Sequence, residues 1–218
     1  MRDLLPATVA VAVAGPDDWA GELLAAEQAC LGERAVESRR RDFTAGRVCA
    51  RRAMADLGLP ASAVPAAADR APVWPAGVVG AITHTTGYCA AAAARSDEVR
   101  SVGIDAEQHR ELNAGVRRLV LLPEEEESCA RLPVGTSWPV VLFSAKETVY
   151  KVWYPIVGSW LDFHDAHLEL DPEAGTFTAR IASARVDAAT VDDAPTTIEG
   201  RFAITDGLVR TAAVLPHR

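Results

Sequence analysis

The chain has 218 residues, enough for one compact domain or two small ones with a buried core. Its hydrophobic content of 49% and charged content of 24% are typical of a globular protein, and no apolar run approaches the length of a membrane span. The formal net charge of −8 disfavours nucleic acid as a partner, because an acidic surface repels a polyanion.

The N-terminus and the cysteines point to the cytoplasm. The first residues include an early acid and a proline and show no cleavage signature, so no signal peptide is predicted. The four cysteines, at positions 30, 49, 89 and 129, have no CxxC spacing and fit neither a zinc site nor a disulfide scaffold. Free, buried thiols in a reducing compartment are the favoured interpretation.

The first third of the chain is predicted to be mainly helical. Weak alternation within residues 1–15 predicts a first strand, and helical apolar spacing follows over residues 19–31. A second helix is predicted from Ser38 or Asp42 to Leu57, closed by a glycine and a proline. Residues 60–76, rich in proline and alanine, predict an irregular loop that contains Arg70.

The second predicted helix lies in a basic segment. Residues 34–52 contain seven arginines and two acids, a local charge of 7 − 2 = +5 in an acidic protein. Arg47 and Arg51 are four residues apart and therefore share a helix face. A solvated helix face and an anion site for phosphates or an acidic partner both explain the segment, and the sequence leaves both open.

Three strands are predicted next, over residues 78–83, 88–94 and 99–107. His84 ends the first of these, in the run Thr83-His84-Thr85-Thr86-Gly87. A side chain and backbone amides can meet an anion at such a turn. A histidine at a strand end also often has only a structural role, so this run alone decides nothing.

The third strand carries two acids on one face. Residues of a strand alternate between its faces, so Asp105 and Glu107 point together, opposite to Val102, Ile104 and Ala106, which are predicted to be buried. Two such carboxylates repel each other unless a cation lies between them, and their hard oxygens suit Mg²⁺ or Ca²⁺. A strand that runs into solvent would tolerate the same pair.

The last part is predicted to contain two helices and further strands. Pro123 followed by four glutamates predicts a helix start. Residues 168–170, 176–181 and 201–214 are predicted as antiparallel strands, with Asp206-Gly207 as a hairpin turn, and residues 186–198 as a surface loop. The order of helices and strands predicts an α+β fold with two compact halves.

The only two lysines among 22 basic residues, Lys146 and Lys151, flank Glu147. A compact ammonium suits contact with a phosphate oxygen or proton transfer. The same segment also fits a surface helix that begins at Ser144, with Glu147 reaching back to its cap and with Val149, Val152 and Trp153 buried.

Three segments together resemble the signatures of the 4′-phosphopantetheinyl transferases. Val102-Gly103-Ile104-Asp105-Ala106-Glu107 is similar to the family motif (V/I)G(I/V)D-x-E, and residues 143–151 are similar to (F/W)-(S/C)-x-K-E-x-x-x-K. The turn at residues 83–87 resembles Ser-His-x-x-Gly, with Thr83 in place of the serine. The resemblance extends to Trp74-Pro75 and to residues 153–163, and it covers roughly residues 35–170.

The resemblance implies a fold and an activity. The fold would be α+β, with two pseudo-symmetric α/β halves, residues 1–103 and 104–218, each a small antiparallel sheet packed on a long helix, and with the active site at their interface. The enzyme would be the larger, monomeric type, cytoplasmic, without nucleic-acid or membrane partners. It would move 4′-phosphopantetheine from coenzyme A to a serine of an acyl or peptidyl carrier protein and release 3′,5′-ADP. The carrier would belong to a siderophore, polyketide or nonribosomal-peptide synthase.

The resemblance also implies roles for individual residues. Asp105, Glu107 and Glu147 would ligate Mg²⁺, and Glu147 would also be the general base. Lys151 would stabilise the departing charge, and His84 would bind phosphate; both count among the predicted catalytic residues. Lys146 would either assist Lys151 or pair with an acid. Coenzyme A contacts are expected from Arg47 first, and then from Arg39, Arg51, Arg70, Thr83, His84, Lys146 and Lys151.

Some alternatives stay open. Glu147 could cap its helix without ligands and turn to the metal when Mg²⁺ and coenzyme A bind. Trp153 and Tyr154 could form an apolar dock for the carrier or simply pack in the core. The chain could also be a Mg²⁺ phosphohydrolase, although it has no P-loop or H-E-x-x-H motif. It could be a non-catalytic module that binds coenzyme A or a carrier protein, although Asp105, Glu107, Glu147 and Lys151 are all present.

Overall fold

The computed structural model describes residues 1–32, 34–189 and 191–217. These residues form two compact units, one of residues 1–102 with the residues from 216 onward, and one of residues 103–215. Helices and antiparallel strands occur in both, which confirms the predicted α+β class. The predicted halves, residues 1–103 and 104–218, and their pseudo-symmetry stay predictions. No helix in the described ranges is both long and apolar enough to cross a membrane.

The first unit is a three-stranded sheet covered by one long helix. Its elements are β1 (Ala10–Val13), α1 (Ala25–Gln28), α2 (Glu37–Asp56), β2 (Val78–Thr85) and β3 (Tyr88–Arg95), and short 3₁₀ turns lie at Arg2–Leu4 and Pro16–Ala20. The strand order is β1-β3-β2, all antiparallel. The helix α2 packs on all three strands.

Small side chains let α2 lie close to this sheet. The central strand β3 presents a run of fully buried alanines, residues 90–94. On the helix, a Cβ at Gly46 would lie 2.9 Å from Cγ2 of Ile82, so a larger residue there would push the helix away. The core between them is made largely of alanines with Cys49, Met54 and Val64.

The second unit is a five-stranded sheet with its own 20-residue helix. Its elements are β4 (Val99–Gln108, which enters the unit at Gly103), α3 (Ala114–Val120), α4 (Pro123–Arg131), α5 (Trp138–Val157), β5 (Ala166–Asp171), β6 (Thr176–Ile181), α6 (Ser183–Asp187), β7 (Thr197–Thr205) and β8 (Leu208–Pro216). The strand order is β4-β8-β7-β6-β5. The helix α5 packs on β5, β6 and β7 over a core that includes Leu142, Trp153, Phe177 and Ile198.

Most of the predicted strands are confirmed within a few residues. The hairpin turn between β7 and β8 has positive φ at both central residues, 54° at Asp206 and 72° at Gly207, as an Asp-Gly turn of this kind requires. Trp153 is fully buried, which settles it as a core residue. The predicted loop at 186–198 spans the end of α6 and the start of β7, and Thr190 within it lies outside the described residues.

Two predicted helices are wrong in their bounds. The helix expected over residues 19–31 is replaced by the 3₁₀ turn Pro16–Ala20 and the short α1, because Gly21 is extended between them. The long helix begins at Trp138, six residues before Ser144, with Pro139 in its first turn. Ser144 is therefore a buried residue inside the helix, and the predicted capping box, with the cap-to-metal movement of Glu147, is wrong.

Candidate active site

A glycine brings α5 unusually close to β4 in the second unit. A Cβ at Gly103 would lie 2.3 Å from the carbonyl oxygen of Thr148 and 2.8 Å from Cγ2 of Val152. Any other residue at this position would collide with the helix backbone. The glycine of the Val-Gly-Ile-Asp segment thus allows side chains of α5 to reach the strand.

Asp105 and Lys151 form an ion pair across this contact. The Lys151 ammonium donates to Oδ1 of Asp105 at 2.8 Å and to the carbonyl oxygen of Ile104 at 3.0 Å. The hydroxyl of Ser144 donates to Oδ2 of Asp105 at 2.8 Å. Asp105 is only 4% exposed, so these bonds compensate for burial of its charge.

A chain of buried hydroxyl groups leads from Asp105 to β8. Oγ1 of Thr211, on β8, lies 2.9 Å from the Ser144 hydroxyl and 2.7 Å from the Thr148 hydroxyl, and it donates to the Ser144 carbonyl at 3.0 Å. Ser144 and Thr148 are four residues apart and so share a face of α5. Thr211 was not predicted as a site residue, since nothing in its local sequence distinguishes it from other strand threonines.

Glu107 and Glu147 place further negative charge near the pair. Burial, followed by repulsion from Asp105, raises the pKa of Glu107 to about 7. Burial also raises the pKa of Glu147, with Lys151 opposing and Asp105 adding to the effect. The three predicted metal-ligating carboxylates therefore influence one another electrostatically around Lys151.

These three carboxylates fit a hard divalent cation in their chemistry. Oxygen ligands of this type suit Mg²⁺, and a cation would relieve the repulsion from Asp105 that adds to burial in raising the pKa of Glu107. No group of three or more His, Cys, Asp or Glu residues in the described ranges is arranged to hold a metal ion. Asp105 instead has its two oxygens bonded to Lys151 and Ser144.

The two lysines that flank Glu147 have different surroundings. The ammonium of Lys146 pairs with Oε2 of Glu125 at 2.7 Å and donates to the carbonyl oxygens of Val120 at 2.9 Å and Phe163 at 2.7 Å. Its three protons thus have three acceptors inside the protein, and burial lowers its pKa. These contacts favour a structural role for Lys146, and its predicted contact with coenzyme A stays a prediction.

Apolar walls surround a small cavity beside Glu147. Its volume is about 70 Å³, and it is lined by Lys146, Glu147, Tyr150 and residues 160–163 and 166. The ring of Tyr150 lies 5.0 Å from that of Trp160 and 5.4 Å from that of the half-buried Tyr154. A second cleft, of about 430 Å³, adjoins Glu107 and is lined by Arg110, Leu112 and Phe143 among others.

In the first unit, His84 borders a cleft of about 520 Å³. The cleft is lined by Trp19, Ser38, Arg41, Asp42 and residues 84–87. The exposed His84 has Nδ1 3.9 Å from Oδ2 of Asp42, whereas Thr83, one residue earlier on β2, is buried. The Arg41 guanidinium lies 5.9 Å from the centre of the Trp19 ring.

The predicted coenzyme A arginines are placed in four different ways. Arg47 is buried, donates from Nε to the carbonyl oxygen of Val64 at 2.9 Å and stacks on the Phe43 ring at 3.8 Å; burial lowers its pKa to about 10. Arg51 forms an ion pair with the buried Glu27. Arg39 is exposed on α2, and Arg70 is exposed at a positive φ of 74°.

Sequence reasoning missed several residues of the first unit. Trp19, Arg41 and Asp42 line the cleft beside His84, and Glu27 holds Arg51. Arg41 lies in the basic segment, but a count of charges cannot separate one arginine from its neighbours. Glu27 gave no signal, because its burial depends on segments far away in the chain.

Comparisons with known proteins give matches over both units. Residues 26–94 match the family described as "4′-phosphopantetheinyl transferase N-terminal domain", and residues 101–201 match the "4′-phosphopantetheinyl transferase superfamily". Together these matches cover more than half of the chain.

Three curated relatives are similar over most of their length. The chain is 40% identical to the 4′-phosphopantetheinyl transferase PptT of Mycobacterium tuberculosis, over 99% of the chain and 97% of that protein. It is 45% identical to the 4′-phosphopantetheinyl transferase Svp of Streptomyces mobaraensis, over 90% of the chain and 80% of that protein. It is 40% identical to the 4′-phosphopantetheinyl transferase Npt of Nocardia iowensis, over 82% of the chain and 83% of that protein.

Proposed function

The chain belongs to the 4′-phosphopantetheinyl transferase superfamily, and from this we propose that it transfers 4′-phosphopantetheine from coenzyme A to a serine of an acyl or peptidyl carrier protein. The observation that carries the proposal is the Lys151–Asp105 ion pair beside Glu107 and Glu147, at the positions of the family motifs. The same motifs led to this function from the sequence alone.

The reaction exchanges one phosphorus–oxygen bond for another. The serine oxygen of the carrier attacks the phosphorus that bears the pantetheine arm, and a new phosphodiester forms. The bond from that phosphorus to the bridging oxygen breaks, and 3′,5′-ADP leaves with the electron pair. The serine proton passes to a base on the enzyme, which we assign to Glu147.

The protein contributes charge and position to this step. Lys151 is held against Asp105 and Ile104, so its ammonium is fixed where it can stabilise charge on a phosphate oxygen. The cleft beside Glu107 suits the approach of the carrier serine. Asp105, Glu107 and Glu147 would hold Mg²⁺, which would neutralise pyrophosphate charge when bound.

Residues of the first unit are assigned to the nucleotide end of coenzyme A. His84 is exposed at the edge of a cleft whose walls include Arg41 and the aromatic ring of Trp19. The cationic and aromatic side chains of this cleft suit a phosphate group and the adenine ring of coenzyme A. Arg47, Arg39 and Arg70 supply further positive charge. Arg51 and Thr83 are the weaker candidates, since Arg51 pairs with Glu27 and Thr83 is buried.

Partner, cation and location complete the proposal. Transferases of this family use coenzyme A and a divalent cation and act on carrier proteins of synthases. We assign Mg²⁺ as the cation and a siderophore, polyketide or nonribosomal-peptide synthase as the source of the carrier. We also propose a cytoplasmic monomer without nucleic-acid or membrane partners; four free cysteines support a reducing compartment.

Intact mass spectrometry of an apo carrier protein tests the function. After incubation with the protein, coenzyme A and Mg²⁺, the carrier should gain the mass of one phosphopantetheine. A chelator should abolish the gain, and so should Asp105→Ala, because Lys151 and Ser144 then lose their shared acceptor. Asp97→Ala, at an exposed acid in the turn after β3, is the matched control and should transfer at the normal rate.

Other outcomes would identify a different function. Tight binding of coenzyme A with no gain on any of several carriers would indicate a non-catalytic binding module or a very narrow carrier preference. The same assay with the carrier encoded nearest to this protein separates the two, and no gain there would overturn the transferase assignment. Release of free 4′-phosphopantetheine without a carrier would favour a phosphohydrolase.

A further inference from the structure

The first unit contains a fully buried glutamate that the proposed reaction does not use. Glu27 lies on the short helix α1 and is 0% exposed. Its Oε2 accepts from the backbone N–H of Leu24 at 2.9 Å and pairs with Arg51 of α2, and its Oε1 accepts from the N–H of Val64 at 3.0 Å. One carboxylate thus joins α1, α2 and the segment that follows α2.

The backbone of Val64 couples Glu27 to Arg47, a candidate substrate-binding residue. Val64 is fully buried, and its carbonyl oxygen accepts from Nε of Arg47 at 2.9 Å. The direction of the Arg47 guanidinium therefore depends on the position of Val64. That position is set on the other side by Glu27 through the bond to the Val64 N–H.

The same segment carries the base of the hairpin on which Arg70 lies. Ala66 forms a bridge with Pro72, and its N–H donates to Sγ of Cys30 at 3.2 Å, two residues after the end of α1. The N–H of Arg70 donates to the Ala67 carbonyl at 2.9 Å, which closes the turn. Residues 64–66 therefore position both Arg47 and Arg70. Glu27 and Cys30 in turn hold residues 64–66 through the N–H groups of Val64 and Ala66.

The second unit offers a matched comparison. Glu125 is also 0% exposed; it accepts from the N–H groups of Leu122 and Leu168, each at 2.8 Å, and pairs with Lys146 of α5. Glu125 has the same three kinds of contact as Glu27, but neither Arg47 nor Arg70 is attached to it. A substitution of Glu125 therefore measures the stability that is lost with a buried carboxylate when Arg47 and Arg70 are not displaced.

We propose that Glu27 is a positioning residue for coenzyme A, which holds residues 64–66 and thereby orients Arg47 and Arg70 toward the nucleotide end of the substrate. A buried ion pair adds little net stability compared with apolar packing, so its value here lies in orientation. The inference rests on the proposed function, because it assigns these arginines to coenzyme A.

The inference is tested by titration calorimetry, which measures the binding of coenzyme A and of 3′-dephospho-coenzyme A to the Glu27→Gln variant. A glutamine cannot accept all three bonds, since its amide nitrogen is a donor only. We expect the Kd for coenzyme A to rise about tenfold, a loss of about 1.4 kcal/mol. The preference for coenzyme A over the dephospho form should shrink, and kcat should stay within about twofold while KM rises.

Glu125→Gln is the control for general damage. It should lower the unfolding midpoint as Glu27→Gln does, yet keep the preference for coenzyme A over the dephospho form. If Glu27→Gln does not fold, Glu27→Asp replaces it, because the shorter side chain keeps the charge but cannot reach both α2 and Val64.

Two results would overturn the inference. One is an equal loss of affinity for both ligands in the Glu27 variant, and the other is unchanged binding of both. The binding data decide this even if the wild-type protein modifies no carrier, so failure of the transferase assignment remains a separate outcome.

Discussion

Arg70 combines an exposed side chain with an unfavourable backbone conformation. Its φ of 74° lies in the left-handed region, which costs a non-glycine residue about 1–2 kcal/mol. Such a conformation is retained when the surrounding structure fixes it and the side chain is useful there. Here the hairpin fixes it, with the Arg70 N–H bonded to the Ala67 carbonyl.

Arg70→Gly and Arg70→Ala separate the guanidinium from the backbone cost. Both variants lose the charge, so both should raise the Kd for coenzyme A by a similar factor. Only glycine relieves the left-handed strain, so Arg70→Gly should have a free energy of unfolding about 1 kcal/mol higher than Arg70→Ala. Urea unfolding and calorimetry measure the two effects, and unchanged binding in Arg70→Ala would remove Arg70 from the substrate-binding residues.

Individual side chains differ in how far the sequence predicted them. The motif pattern placed Asp105, Glu107, Glu147 and Lys151 in one region, and their mutual electrostatic effects agree with it. For Lys146 it left two roles open, to assist Lys151 at the phosphate or to pair with an acid, and the structure shows the pairing, with Glu125. Motif membership does not tell which way a side chain points.

The contact between β4 and α5 depends on Gly103. A Cβ there would collide with the Thr148 carbonyl, which belongs to the backbone and cannot swing away. Gly103→Ala should therefore separate the helix from the strand and stretch the bonds from Lys151 to Asp105 and Ile104. The same displacement should lower both stability and turnover.

We expect Gly103→Ala to lose about 1–3 kcal/mol of unfolding free energy, measured in urea, and most of its transfer activity. Removing the second obstacle with Val152→Ala should not restore either, since the backbone collision remains. Gly15→Ala is the control, because a Cβ there would meet only Oδ2 of Asp18 at an ordinary 3.8 Å. Full activity of Gly103→Ala would show that the close approach is unnecessary.

Helix boundaries show where local patterns fail. Ser144 and Glu147 have the spacing of a capping box, yet the helix begins at Trp138. The apolar residues 140–142 extend the helix toward its N-terminus because they are buried in the core of the second unit. Burial of these side chains outweighs the local preference for a cap at Ser144.

The buried pair of Glu125 and Lys146 links several elements of the second unit. The carboxylate holds the N–H of Leu168 on β5 and caps α4, and the ammonium holds the end of α3 and the 3₁₀ turn at Phe163–Asp165. Loss of one partner leaves the other buried and uncompensated, which is more costly than loss of both.

A double-mutant cycle measures this dependence. Lys146→Met should cost about 3–5 kcal/mol of unfolding free energy, because the charge of Glu125 is then buried without a partner. Adding Glu125→Gln to Lys146→Met should recover part of that loss. Thermal and urea unfolding give the comparison, and a double variant less stable than Lys146→Met alone would contradict the predicted coupling.

Local sequence was sufficient for most of the strands and for the existence of the two long helices, but not for the start of the second helix. The alternation of apolar and acidic residues along β4 and the motif spacing on α5 are properties of residues close in the sequence. They can therefore be recognised without knowledge of the tertiary structure. The same reasoning predicted the Asp206-Gly207 turn, whose residues carry their backbone preference with them.

The surroundings of the basic residues are determined by contacts between distant segments. Lys146 directly precedes Glu147 and Lys151 follows it by four residues. Five residues turn a helix by about 140° beyond one full turn, so the two lysines face different surroundings. Glu27 contacts Arg51 and the N–H of Val64, which are 24 and 37 positions away in the sequence. Arg51 is therefore held in an ion pair, whereas Arg47 donates to the carbonyl oxygen of Val64. These pairings form because each buried polar group needs a hydrogen-bond or ion-pair partner. Which groups become neighbours is determined only when the chain folds.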